Sequence, residues 1–311
     1  MSKPSLLLEA LHGEHETFAH ECLALQARTG IIAPFALRSA LKLEEVAAPY
    51  MHPSRREGVF VRDFDLVVTD RNHRSHVQGV NFCEWDMPLL LAVDEHGLSF
   101  THGPCTVVTM AQRLSPRELI VLAESMLRRD PALRRSSIDE FLMYFDMLDD
   151  CTERRNRRAF RGSKTLRKLF PLVRDNTDSP QESRVGLVLM QYGLGRPVVN
   201  YRVLLPNGRV VYLDMSFPLL KIAIEYDGVF HLGQQLDDEL RQMMIEEEGW
   251  LVIRVRGTDL GSVESEQAFA RRVADAVERR SGEQVLLSDP MPLLELAKYP
   301  ELSYDRPWLA A

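Results

Sequence analysis

The chain has 311 residues with 38 Lys or Arg against 45 Asp or Glu, a formal net charge of −7, so it lacks the overall positive charge of a protein coated for nucleic acid, although an average can hide a local basic patch. Apolar residues make up 45% and charged residues 27%, which excludes disorder for most of the chain, and the length favours two domains over one core. No apolar run is long enough to cross a bilayer, and the opening MSKPSLLLEALHGEHE meets acids within ten residues, where a leader would stay apolar; a cytoplasmic location is expected.

Residues 1–150 read as a mixed α and β domain, a candidate DNA- or partner-binding module. His12, His15 and His20 near its start have no acidic or cysteine partner at a diagnostic spacing, and surface positions are expected for them. The stretch QARTGIIAPFALRSALKLEEV has the outline of a helix-turn-helix. Between Gly58 and Thr101, VFVRDFDLVVT and LLLAVDEHGLSFT predict short strands, the second turning near His96-Gly97. Ser115-Pro116-Arg117-Glu118 and Ser137-Ile138-Asp139-Glu140 predict helix starts with capping boxes, in which hydroxyl and carboxylate each satisfy a free backbone N–H. Cys22, Cys83, Cys105 and Cys151 form no CxxC pair, so free thiols are expected in place of a zinc framework or a disulfide scaffold.

Residues 151–177 read as a basic linker or helix. From Arg154 to Arg174 there are nine Lys or Arg and no acid, and Arg154, Arg155, Arg157, Arg158, Arg161, Lys164, Arg167 and Lys168 are the candidate DNA contacts. Several cations on one strip release condensed counterions and give sequence-independent, salt-sensitive affinity. A charge run of this kind is also commonly a solvated helix face. Phe160 and Phe170 within it read as packing anchors, not base-stacking platforms.

The second domain, 178–285, opens at a third cap, Ser179-Pro180-Gln181-Glu182. Val185, Val188, Leu189 and Tyr192 follow at helical spacing up to Gly193, predicting a helix with one buried face. VNYRVLL and RVVYLDMSF flank the turn signal Pro206-Asn207-Gly208 and predict a hairpin. KIAIEYD reads as a central strand because its apolar run is nearly continuous. Leu236, Leu240, Met243 and Met244 then predict a helix ending at Gly249, WLVIRV another buried strand, and a last helix runs from about Val263 to Arg279. The predicted order is α-β-β-β-α-β-α, with 286–311 as a C-terminal tail and an α/β (α+β) fold overall.

Three carboxylates interrupt this apolar framework. Asp214 breaks one strand, and Glu225 and Asp227 close the next. Carboxylates near a sheet core lose hydration and repel one another, so they require a cation, a donor or a raised pKa. Side chains alternate along a strand, which puts Glu225 and Asp227 on one face and lets a paired strand bring Asp214 to the same edge. Two or three convergent oxygens, with water in the remaining positions, suit Mg²⁺ or Mn²⁺ held against substrate phosphates. Salt-bridged surface carboxylates would give the same residues without a metal.

The block LDMSFPLLKIAIEYDGVFH followed by DDELRQMMIEEEGWLVIRV resembles the very-short-patch repair endonuclease-like branch of the PD-(D/E)XK nucleases. It is also similar to larger proteins in which this domain follows a region related to the AbiEi antitoxins. The likeness is strongest from Ser179 to Val255, with weaker similarity around PCTVVTMAQRL. It implies a PD-(D/E)XK core in which Asp214 is the principal metal ligand, Glu225 the second acid, His231 an acid-base group and Asp238 the residue that orients it. Glu182 falls where many of these nucleases carry an acid on the first helix. Asp227 departs from the pattern, standing where the family name calls for lysine, and is a candidate third ligand for Mg²⁺ or Mn²⁺. The expected activity is a metal-dependent DNA endonuclease or nickase in repair or defence; the alternative is a nuclease-fold DNA-binding regulator or antitoxin-like protein that does not cleave.

Overall fold

A computed structural model describes residues 6–51, 63–70, 77–156, 160–227, 235–303, 306, 308 and 309. The architecture is mixed α/β with small sheets, in two compact units, Met1–Asp175 and Asn176–Ala311. Among the described residues no helix is long and apolar enough to cross a membrane.

In the first unit a long helix, α1 (Leu6–Thr29), lays Phe18, Ala19, Cys22 and Leu25 into a core shared with Phe35, Leu66 and Phe100. The helix α2 (Leu37–Leu43) follows, but not through the tight turn of a helix-turn-helix. The intervening segment is extended and sewn between strands: Phe35 N donates to Ser99 O at 2.8 Å, and Thr101 N donates to Phe35 O at 2.8 Å. A chain already hydrogen-bonded on both sides cannot present a free recognition helix pair. Strands β1 (Phe64–Val68) and β2 (Val80–Glu84) pair in parallel. Strands β3 (Leu91–Val93) and β4 (Ser99–Thr101) form an antiparallel hairpin around His96-Gly97, where Gly97 has a φ of 81°.

Helices α3 (Pro104–Met110), α4 (Pro116–Met126) and α5 (Ile138–Arg154) complete the layer. Ser137 and Glu140 form the reciprocal capping box. Ser115 caps α4, while the Glu118 carboxylate accepts from the distant Tyr50 N at 2.8 Å. The expected linker is part of this unit: α6 (Arg161–Leu169) carries buried Leu166 and Leu169, and Phe170 lies 5.3 Å from Phe141 and 5.2 Å from Phe145, ring centre to ring centre. Every few residues the basic run supplies an apolar anchor, and those anchors decide where it folds. Phe160 packs edge-on against Trp85.

The second unit runs α7 (Pro180–Gln191), β5 (Val198–Leu204), β6 (Val210–Phe217), β7 (Ile222–Tyr226), α8 (Gln235–Glu247), β8 (Leu251–Val255), α9 (Val263–Ser281) and the short α10 (Leu293–Leu296). The sheet order is β5-β6-β7-β8; the first two pairs are antiparallel and the last is parallel. A parallel pair requires a crossover, which α8 provides. One sheet face packs on α7 and α9 through residues such as Val188, Met215, Ile224 and Phe269, and the other on α8 through Leu213, Ala223 and Ile245.

Several expectations for this unit are revised. Helix α7 is buried almost all round from Glu182 to Met190, not on one face. On α8 it is Ile245 that enters the core, whereas Leu240 and Met243 are exposed. The strand β8 is an edge strand and only partly buried. Residues beyond 285 are not a loose tail: Leu293 and Leu296 are buried, and Trp308 Nε1 donates to Leu194 O at 3.0 Å.

Candidate functional site

The strand β6 turns over at Asp214. Val211 and Leu213 pack with Ile245 of α8, yet Met215 and Phe217 pack with the α7 and α9 layer, although residues two apart in a regular strand share a face. The register with β5 is unshifted on either side of this point, and Asn200, opposite Asp214, takes a left-handed φ of 48°. Pairing with β7 stops at the same place, its last pair being Met215 with Ile224. Beyond it the Asp214 Oδ2 accepts from Tyr226 N at 2.9 Å. A side chain thus replaces a ladder bond where the strands part, which is why a carboxylate is tolerated inside an apolar strand.

Glu225 stands on β7 next to this opening. Arg241 of α8 donates from Nη1 to Glu225 Oε2 at 2.9 Å and from Nη2 to Tyr212 O at 2.8 Å. The other Glu225 oxygen, Oε1, is buried without a hydrogen-bond partner among the described residues. Glu182 approaches from the first turn of α7. Its backbone N–H is capped by Ser179, while its own Oε2 accepts from Asp178 N at 2.9 Å, one residue before the cap. Burial, then the charges of Glu182 and Glu225, push the Asp214 carboxyl well above the usual carboxylate range; the Tyr226 N–H and Arg241 pull it back. Glu182, Asp214 and Glu225 are thus electrostatic neighbours drawn from three elements.

Asp227, expected as a third ligand, faces elsewhere. Its oxygens lie 3.6 Å from Arg254 Nη1 and 3.2 Å from Arg256 Nε, and its side chain is 4% exposed. The arginines of β8 and the residue after it draw the carboxylate to themselves. Among the described residues neither Asp214, Glu225 and Asp227 nor Glu182, Asp214 and Glu225 form a trio of ligand atoms within 4.8 Å of one another. His231 lies outside the described residues, and Asp238 is on α8 with its side chain outside them. Arg241, Arg254 and Arg256 are the members of this site that sequence reasoning missed. No local pattern marks Arg241, because its partner on β7 is sixteen residues away.

The basic strip is only partly available. Arg157 and Arg158 lie outside the described residues, as does the side chain of Arg161. Arg155 donates to Asp86 O, Arg167 pairs with Asp149 at 2.9 Å and Asp146 at 3.7 Å, and Arg174 is buried in a two-pronged bond to Glu124. Arg154, Lys164 and Lys168 are exposed, Arg154 with Asp150 one turn away at 3.9 Å.

Two similar proteins, both described as uncharacterized, come from two strains of Mycobacterium tuberculosis and are named MT2308 and Rv2248; each is 28% identical to this chain over 154 residues. The match takes in 48% of this chain, which spans about half, 52%, of each relative. No family model matches the chain, and no solved structure does.

Proposed function

We propose that the second unit is a Mg²⁺- or Mn²⁺-dependent DNA endonuclease or nickase of the PD-(D/E)XK type, similar to the very-short-patch repair branch, acting in the cytoplasm. The observation that carries this reading is the buried Asp214 carboxyl, at the point where β6 and β7 part, under the charges of Glu182 and Glu225. Asp214 and Glu225 fit a hard cation: one is reluctant to ionise beside like charges, and the other has a buried oxygen with no hydrogen-bond partner among the described residues. Asp227 is already engaged by a cation through Oδ2, which accepts from Arg256 Nε at 3.2 Å, although its Oδ1 is buried with no hydrogen-bond partner among the described residues. A bound ion would polarise the scissile phosphate and acidify an attacking water.

The chain's own groups have separable parts in this scheme. Asp214 and Glu225 hold the cation, and Glu182 adds negative charge beside them. Arg254, held by Gln242, and Arg256 put positive charge near the sheet edge where the family pattern has a lysine. His231, oriented by Asp238, is assigned proton transfer on resemblance alone. The exposed Arg154, Lys164 and Lys168 offer phosphate contacts, and the first unit is proposed as the DNA- or partner-binding module.

A second reading, a nuclease-fold regulator that binds DNA without cutting it, is favoured by one contact: the Arg241 guanidinium already neutralises Glu225. Incubating the full chain with plasmid and oligonucleotide DNA in Mg²⁺ or Mn²⁺, beside Asp214→Ala, separates the two. The endonuclease reading expects cleavage that Asp214→Ala abolishes. DNA binding with no cleavage by either protein overturns it in favour of the regulator.

A further inference from the structure

The first unit holds a second cluster of ligating side chains, unrelated to the carboxylates of β6 and β7. His15 and Glu16 come from the middle of α1, and Glu95 and His96 from the turn between β3 and β4. One ligand atom from each lies within 4.8 Å of the other three, and this is the group of three or more that the described residues provide. The turn is rigidly held. Asp94 Oδ1 accepts from His96 N at 3.0 Å and from Leu98 N at 2.8 Å, and Gly97 N donates to Asp94 O at 3.1 Å.

His15, expected on the surface, is 5% exposed. Its Nδ1 lies 3.0 Å from Leu43 O. A carbonyl only accepts, so Nδ1 donates to it and Nε2 is the ring nitrogen left for a ligand. That Nε2 lies 3.8 Å from Asp94 Oδ2, on a side chain 5% exposed, and this oxygen has no hydrogen-bond partner among the described residues. A buried carboxylate oxygen without a hydrogen bond thus stands beside the ring nitrogen that Leu43 does not engage, a place that suits a cation. His96 Nε2 is 3.4 Å from Glu16 Oε1 on the open side of the same group. Binding the second nitrogen of a ligating histidine to a backbone carbonyl, as Leu43 does, fixes its tautomer and ring orientation.

We propose that His15, Glu16, Glu95 and His96, backed by Asp94, form a site for a divalent transition metal of the zinc class. The site opens on a cavity of about 350 Å³ that Glu44, His102 and Arg135 also line. Imidazole with carboxylate suits zinc and its neighbours, whereas an all-oxygen set suits Mg²⁺. Ligand atoms about 2.1 Å from a tetrahedral ion stand about 3.4 Å apart, so atoms that lie within 4.8 Å of one another must close by at most about 1.4 Å. The exposed Glu95 and part-buried Glu16 have the rotamer freedom to do this, while Leu43 and the turn hold the two histidines. The ion ties α1 to the β3–β4 hairpin.

The test uses the full chain after chelator treatment, titrated with Zn²⁺ by calorimetry and with Co²⁺ by visible absorption. The expected result is one saturable equivalent per chain, with the intense d–d bands of a tetrahedral Co²⁺ site. His96→Gln and Glu95→Gln, both changes outside the core, are expected to weaken Zn²⁺ binding at least about tenfold while circular dichroism stays unchanged. His20→Gln, whose ring is 5.8 Å from His96 but outside the ligand set, leaves binding intact. Asp214→Asn also leaves it intact, which keeps this site distinct from the proposed nuclease centre. No saturable Zn²⁺ binding, or affinity unchanged in both His96→Gln and Glu95→Gln, overturns the proposal and leaves a plain His15–Asp94 contact.

Discussion

Asp214 couples the stability of the second unit to pH. A carboxyl with a raised folded-state pKa keeps its proton at pH values where the unfolded chain has released it. Stability from this group is therefore present at low pH and is lost as pH rises from the ordinary value of 3.8 through the folded pKa. Asp214→Asn removes the penalty: at pH 7 its melting temperature is expected to lie about 2–4 °C above the parent, with the difference gone near pH 4, and a lower melting temperature at pH 7 contradicts this. Two thiols report on the first unit. Burial pushes Cys22 up to about 12 and Cys105 up to about 11, so neither forms the reactive thiolate at pH 8. Under native conditions a thiol reagent should leave both unmodified until denaturant is added, as mass spectrometry of the labelled peptides would reveal. At this scale the sequence displayed Asp214 and Glu225 as misplaced charges. It could not display Arg241 or the partners of Asp227, because those depend on which oxygen faces which strand.

Among the elements, boundaries marked by local chemistry were the most legible. The helices begin after Ser115, Ser137 and Ser179 as their caps require, and the hairpin turns at Pro206-Asn207-Gly208. What was not legible depended on tertiary burial. Helix α7 is buried almost all round, α8 uses Ile245 in place of the expected Leu240 and Met243, and the basic run is anchored by its buried leucines, by Phe160 on Trp85 and by Phe170 on α5. A charge count cannot foresee that last outcome, since Arg174 looks identical to its neighbours until Glu124 is seen beneath it. Both members of that pair are almost fully buried, with 3% and 0% of their side chains exposed. Breaking it leaves an uncompensated charge, so Glu124→Ala is expected to cost about 3–5 kcal/mol in urea unfolding of the full chain; a loss under about 1 kcal/mol would mean that water reaches Arg174.

Across the whole molecule, the candidate sites divide between a carboxylate group in one unit and a broken basic strip with a histidine-rich cluster in the other. If Arg154, Lys164 and Lys168 touch phosphates, replacing all three with Gln should weaken DNA binding and reduce the salt slope by about three. An unchanged slope returns them to a solvated surface. The first unit was the less legible in the sequence, because its ligating residues come from one helix and one turn far apart along the chain, with no motif to join them. In the second unit the acids lie close in sequence and on neighbouring strands. The most direct measurement is Mg²⁺-dependent relaxation of supercoiled plasmid by the parent chain, Asp214→Asn, Glu225→Gln and Asp227→Asn. Cleavage by the parent, lost at least about 100-fold in the first two variants but largely kept in Asp227→Asn, is the result this account predicts; a parent that does not cut, or variants at Asp214 and Glu225 that cut as well as it does, would contradict it.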